Sequence, residues 1–159
     1  MGDYTTTTTQ LEDYARQLRL PLLGIYSKNT LPQTKRAGSY IINMEDSDAG
    51  NGTHWVLLKI FPNKKVIYMD SFGLPPPPSV REFVGKPIGI SNRQIQYKNA
   101  TTCGLYCLAC DHYLTYQRRQ KNEYERFDDF LNVFKASPIQ NDRILLEYLK
   151  INGLNIEGR

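Results

Sequence analysis

All three cysteines of this chain fall in one stretch, ATTCGLYCLAC, residues 100–110. Cys103, Cys107 and Cys110 stand at spacings of four and three, which on a helix places them on one face, above one another. Free cysteine is among the most buried residue types, so such a face first reads as packing. Cys-x3-Cys-x2-Cys also suits an iron–sulfur ligand loop. The apolar Leu105, Leu108 and Ala109 between the cysteines fit a packed helix better. Zinc lacks a fourth ligand at suitable spacing, with His112 the nearest candidate. Cys103 differs from the other two by position. Thr101, Thr102 and Gly104 suit a tight entry into a helix, and a helix N-terminus stabilises a thiolate. Gly104 leaves space for a substrate beside the sulfur.

A nucleophilic cysteine needs a base within reach and a group that orients the base. The chain has two histidines. His112 lies nine residues along the same helix, nearly opposite Cys103, and cannot reach it. His54 opens the apolar segment THWVLLKIF, which is followed by PNKK and VIYMDSF. Those two segments read as a hairpin turning near Pro62 or Asn63. His54 and Asp70 then stand at the same end of adjacent strands, an even number of positions apart and so on one face. A carboxylate there can accept from the imidazole and stabilise its charged form. The competing reading is a surface histidine and an unrelated strand-end aspartate. Acyl transfer also needs donors for an oxyanion. The Cys103 backbone N–H and a glutamine side chain from the preceding segment could supply them, with Gln96 and Gln94 equally available by composition.

The elements that would position these groups are legible from pattern. TQLEDYARQL predicts a first helix with Leu11, Tyr14, Ala15 and Leu18 on one face, capped by Thr9 with Glu12 completing a capping box. The five-threonine run before it reads as a frayed, solvated tail. GIYSKNTLP reads as a loop, GSYIINME as a short strand, and EDSDAGNG as an acidic loop delivering the chain to His54. Both hairpin strands are apolar at nearly every position, which requires cover on both faces and places them centrally in a sheet. GLPPPPS is a stiff polyproline connector. VREFVG reads as a helical turn and RQIQYKN as a strand. Helices follow at 104–119, at NEYERFDDFLNVF with Tyr124, Phe127, Phe130, Leu131 and Phe134 inward, and at NDRILLEYLK, capped by Asn141 and stopped by Gly153. The expectation is a single α+β domain, residues 1–155, with a central mixed or antiparallel sheet flanked by helices. Residues 156–159, IEGR, read as an appended protease-recognition sequence.

Bulk properties agree with one globular domain: 159 residues, 40% hydrophobic and 23% charged. No run approaches the ~18 apolar residues of a membrane span, so no membrane partner is expected. The N-terminus lacks the apolar region of a secretory signal. Three cysteines without a disulfide-scaffold pattern suggest free thiols in a reducing compartment. The net charge of +4 is mild. Arg118, Arg119 and Lys121 form its densest cluster, which supports at most non-specific contact with nucleic acid.

Taken jointly, GNGTHWVLLKIFPNKKVIYMDSFGL and QYKNATTCGLYC resemble the adenain-type cysteine proteases and their relatives, the ubiquitin-like-modifier proteases. The likeness covers residues 38–115 and extends to FKASPIQNDRILLEYLK. It implies a circularly permuted papain-like fold with His54 as base, Asp70 as its partner, Cys103 as nucleophile and, by register, Gln96 rather than Gln94 in the oxyanion hole. It implies that Trp55 shapes the substrate cleft and that Asn99 helps hold the loop before Cys103. Family substrates carry glycine near the scissile bond, so cleavage after Gly-Gly or Gly-x-Gly-like sequences is expected, by a thiolate–imidazolium acyl-enzyme route. The compact size resembles maturation proteases of virophages and Polinton-like elements. That implies viral capsid precursors as substrates, a place in the virion and the infected cell (cytoplasm or nucleus), and a monomer. Adenovirus proteases use a peptide cofactor held by a disulfide, and this chain has no cysteine between the hairpin and Cys103. No obligatory cofactor is therefore expected, with DNA or a peptide as candidate activators and no metal. The alternative within the same resemblance is a ubiquitin-like-modifier protease or isopeptidase.

Overall fold

The computed structural model describes residues 3–45, 54–86 and 88–156. The acidic loop EDSDAGNG lies largely outside these residues. In chain order the elements are α1 (Thr8–Gln17), β1 (Leu22–Ser27), β2 (Gly38–Asn43), β3 (Trp55–Ile60), β4 (Val66–Met69), α2 (Pro78–Val84), β5 (Gly89–Ile90), α3 (Cys103–Tyr116), α4 (Glu123–Leu131), a 3₁₀ turn (Pro138–Gln140) and α5 (Asn141–Ile151). The strands form one sheet in the order β1-β2-β3-β4-β5. Its outer pairs, β1–β2 and β4–β5, are parallel, and its inner pairs are antiparallel. The chain is thus α+β, with a five-stranded mixed sheet flanked by helices.

Strand alternation divides the core in two. Ile41, Trp55, Leu57, Ile67 and Met69 face the layer of α1, α3, α4 and α5. Tyr40, Ile42, Val56, Leu58, Val66 and Tyr68 face Val80 and Val84 of α2. Both faces of the hairpin strands are covered, as their unbroken apolar character requires. Each fully buried Leu or Ile contributes about 1.5–3 kcal/mol. Helix α3 is buried along nearly its whole length. A buried ion pair, Lys59 Nζ to Asp111 Oδ1 at 2.7 Å, ties it to β3, and Ser39 Oγ and Thr115 Oγ1 also bond the lysine.

Several sequence expectations change. Helix α1 starts two residues early: Thr7 is the cap and Gln10, not Glu12, completes the box. The threonine run is no loose tail, because Thr6 is buried and Thr8 and Thr9 are helical. The expected loop at 24–32 begins as β1, a half-buried edge strand with no alternation to read. RQIQYKN forms no strand, and Gly89–Ile90 pairs with β4 instead. Tyr124 is exposed, whereas its four partners on α4 and beyond are buried. Asn141 is the first residue of α5 rather than its cap. Its side chain accepts from Lys135 N (2.9 Å) and donates to Ile95 O (2.9 Å), linking two loops. Ile156 is 3% exposed and packs in the core, so the fold extends at least one residue past the expected boundary at 155.

Candidate active site

His54 immediately precedes β3 and Asp70 immediately follows β4, so the hairpin sets both at one end of the sheet. Leu57 pairs with Met69, and continuing that register puts Val56 opposite Asp70 with His54 two positions further on. The two side chains meet diagonally on one face. Asp70 Oδ1 accepts from His54 Nε2 at 2.8 Å and from the Phe72 N–H at 2.8 Å. A carboxylate only accepts, so Nε2 carries a proton and Nδ1 is left as the basic nitrogen. Phe72 stacks on the imidazole with centroids 4.8 Å apart, fixing the ring plane. Ser91 Oγ accepts from Asp70 N (3.3 Å) and donates to Asp70 O (3.2 Å), holding the backbone of the carboxylate residue.

Cys103 is the first residue of α3, at the positive end of the helix dipole. Its sulfur accepts from the Trp55 N–H at 3.4 Å, which sets it at the junction of His54 and Trp55. Nδ1 of His54 is buried and makes no hydrogen bond of standard geometry to a described residue. Burial is the largest single influence on the ring and disfavours its charged form. Hydrogen bonding and charge from Asp70 and from Cys103 outweigh it and raise the His54 pKa from 6.5 to about 9. Cys107 and Cys110, on the same helix face, are fully buried, and burial pushes both thiols well up. His112 is engaged elsewhere, its Nδ1 2.8 Å from the Tyr148 hydroxyl, and burial lowers its pKa. Among the described residues no group of three or more His, Cys, Asp or Glu is arranged to hold a metal ion, and no helix is long and apolar enough to cross a membrane.

Gln96 is buried in the segment before the cysteine loop. Its Oε1 accepts from Ser71 Oγ and its Nε2 donates to Ala100 O at 2.9 Å. Gln94 is exposed and donates to Gln96 O, a supporting position. An amide nitrogen has two hydrogens, so one N–H of Gln96 is spent on the loop and the second is left over. Asn99 is exposed at a turn, and no side-chain bond from it appears among the described residues. The loop is held instead by Thr102 Oγ1, which donates to Asp142 Oδ1 at 2.8 Å, with the Tyr106 hydroxyl 3.3 Å from the same oxygen.

The space beside Gly104 is filled by the chain itself. A Cβ there would collide with Thr6 Oγ1 and lie 3.0 Å from Leu11 and 3.3 Å from Trp55. The segment before α1 is strapped across this end of the molecule: Tyr4 N donates to Thr101 Oγ1 (2.7 Å) and Trp55 Nε1 donates to Thr6 O (3.3 Å). Gly104 and Trp55 therefore face the strap rather than an open cleft. Cavities of about 410 and 400 Å³ lie at the opposite end of the sheet, around the β3–β4 turn.

The hairpin pattern put His54 and Asp70 together, and the resemblance implied Cys103 beside them, whereas Thr6, Ser71, Phe72, Ser91 and Asp142 went unread. Phe72 was findable, since it lies two residues beyond Asp70 in the same hairpin. The other four act across long sequence separations and carry no local signal.

No family model and no curated protein matches the chain. Among solved structures, the central domain of the uncharacterized Lpg1148 protein from Legionella pneumophila is similar, at 11% identity and a TM-score of 0.48, over 96% of this chain and 97% of that one. That likeness is too slight to bear on function.

Proposed function

We propose that this protein is a cysteine peptidase of permuted papain-like type, with base, acid and nucleophile in the chain order His54, Asp70, Cys103. One observation carries the reading: His54 Nε2 is bound to Asp70 at 2.8 Å, while the Cys103 sulfur accepts at 3.4 Å from the N–H of Trp55, the residue next to His54. An imidazolium held beside sulfur is the resting partner of a thiolate. The thiolate attacks the scissile carbonyl carbon, forming a C–S bond. The oxyanion is met by the Cys103 backbone N–H and the spare N–H of Gln96. His54 then gives its proton to the departing amine as the C–N bond breaks. A water molecule, deprotonated by the same ring, hydrolyses the thioester and releases the new carboxyl terminus.

Glycine at the cleavage site fits the limited approach. Cys103 is 4% exposed, so a substrate backbone without side chains reaches the sulfur most easily. We take Gly-Gly or Gly-x-Gly-like sites in capsid precursors as the substrate class, in line with the adenain-type resemblance. The test is incubation of purified protein with such precursors and with ubiquitin-like-modifier conjugates, followed by mass spectrometry of new termini. New termini after glycine, lost in Cys103→Ala with the melting temperature preserved, are expected. Cleavage that survives in Cys103→Ala overturns the reading, and preferential cleavage of the conjugates moves it to the modifier proteases.

A further inference from the structure

The prolines at 75–78 take no part in the chemistry above, yet their geometry is unusually defined. Leu74, Pro75, Pro76 and Pro77 each precede a proline, which bars the right-handed helical region. The ring fixes φ for the prolines themselves. Pro77 shows the outcome, with φ −72° and ψ 165°. Pro75, Pro76 and Pro77 therefore run as a polyproline II ribbon with three residues per turn, spanning about 12 Å from Leu74 to Pro78 at the start of α2. Three residues per turn make three ridges: Leu74 with Pro77, Pro75 with Pro78, and Pro76 alone. Pro76 is buried, whereas Pro75 and Pro78 are exposed, Pro77 is half-buried and Leu74 is 58% exposed. One ridge thus grips the body and two face solvent.

Both ends of the ribbon are clamped. Gly73 N donates to Asp70 O at 2.8 Å. Gly73 has φ +78°, and a Cβ there would lie 2.8 Å from the Arg93 backbone, so only glycine fits this start. At the far end Pro77 O accepts from Val80 N (3.1 Å) and Arg81 N (3.2 Å). A spacer needs stiffness alone. This one also presents a large apolar side chain to water at its head and two proline ridges beside it, already ordered.

We infer that the ribbon Leu74–Pro78 is a docking ligand for a polyproline-reading module on a partner protein. Such modules grip two ridges of a polyproline II helix between parallel aromatic rings. The ribbon meets that requirement with no ordering cost, and Leu74 suits an apolar pocket at the end of the groove. The ribbon carries no charge between Gly73 and Val80, so it has nothing to pair with a phosphate backbone. The inference is independent of the peptidase reading.

The test uses the whole protein in surface plasmon resonance against immobilised SH3, WW and EVH1 modules. Leu74→Ala and Pro75→Ala each remove one exposed ridge, and the free peptide GLPPPPS serves as competitor. Binding to at least one class is expected. Each variant should weaken it about tenfold or more at unchanged melting temperature, and excess peptide should compete. Binding by none of the three classes, binding unchanged in both variants, or failure of the peptide to compete overturns the proposal. Cys103→Ala should bind like the unaltered protein.

Discussion

Asp70→Asn isolates the electrostatics of the site. The variant keeps the side-chain shape and an oxygen that can accept from Phe72 N and His54 Nε2, but removes the negative charge. The rise in the His54 pKa from 6.5 to about 9 is net of a burial cost that acts the other way, so the upward pulls together exceed it. They come from Asp70 and Cys103, through both hydrogen bonding and charge. Asp70→Asn removes the charge while keeping the acceptor, and should therefore lower the His54 pKa from about 9. Adding Cys103→Ala should lower it further, as burial then meets less opposition. The chain has two histidines, so the assay is an NMR titration of two imidazole signals, one titrating near 9 and the other, His112, below its ordinary value. Stability follows by linkage. A folded-state pKa raised above the unfolded one contributes stability that is present below about pH 6.5 and is lost as pH rises through about 9. Urea unfolding from pH 6 to 10 should show that loss, and Asp70→Asn should flatten it. A His54 signal that still titrates near 9 in Asp70→Asn would refute the assigned cause.

Further outcomes follow from packing. Gly104→Ala drives a methyl group into Thr6 Oγ1 and Leu11 and should cost about 1–3 kcal/mol with loss of cleavage. Thr6→Ala should recover part of both, read as a coupling energy in a double-mutant cycle. Asp111→Ala leaves the buried Lys59 ammonium without its carboxylate and should destabilise by about 3–5 kcal/mol in chemical denaturation. Cys110→Ser puts a hydroxyl into a fully buried apolar site and should cost about 1–3 kcal/mol. Cleavage, measured as kcat/KM, should stay near that of the unaltered protein.

Legibility differed by element for physical reasons. The hairpin was readable because both its strands are apolar throughout and its turn is short. Together these fix parity, and parity puts His54 and Asp70 on one face. Helices α4 and α5 were readable from 3.6-residue periodicity. The start of α1 was ambiguous, since both Thr7-x-x-Gln10 and Thr9-x-x-Glu12 satisfy a capping box. The contacts of Tyr4 with Thr101 and of Thr6 with Trp55 accompany the earlier start. RQIQYKN alternates like a strand, but its backbone is claimed from outside the sheet. Ile95 N and Gln96 N donate to Ser71 O, while Asn141 and Tyr106 donate to Ile95 O. Edge strand β1 has no clear inward side, and alternation cannot reveal it.

Residue types and local periodicity by themselves determined the α+β class, the central hairpin, and the candidate trio of one sulfur, one imidazole and one carboxylate, because these follow from interactions among near neighbours or within one hairpin. Only the tertiary structure decided where the third member stands, by placing the first turn of α3 against the start of β3 so that Trp55 N reaches the Cys103 sulfur. It also decided that the N-terminal strap, rather than open space, lies against Gly104. Those contacts join positions some fifty to a hundred residues apart. Burial of the whole core selects them, and no short window of sequence encodes that selection.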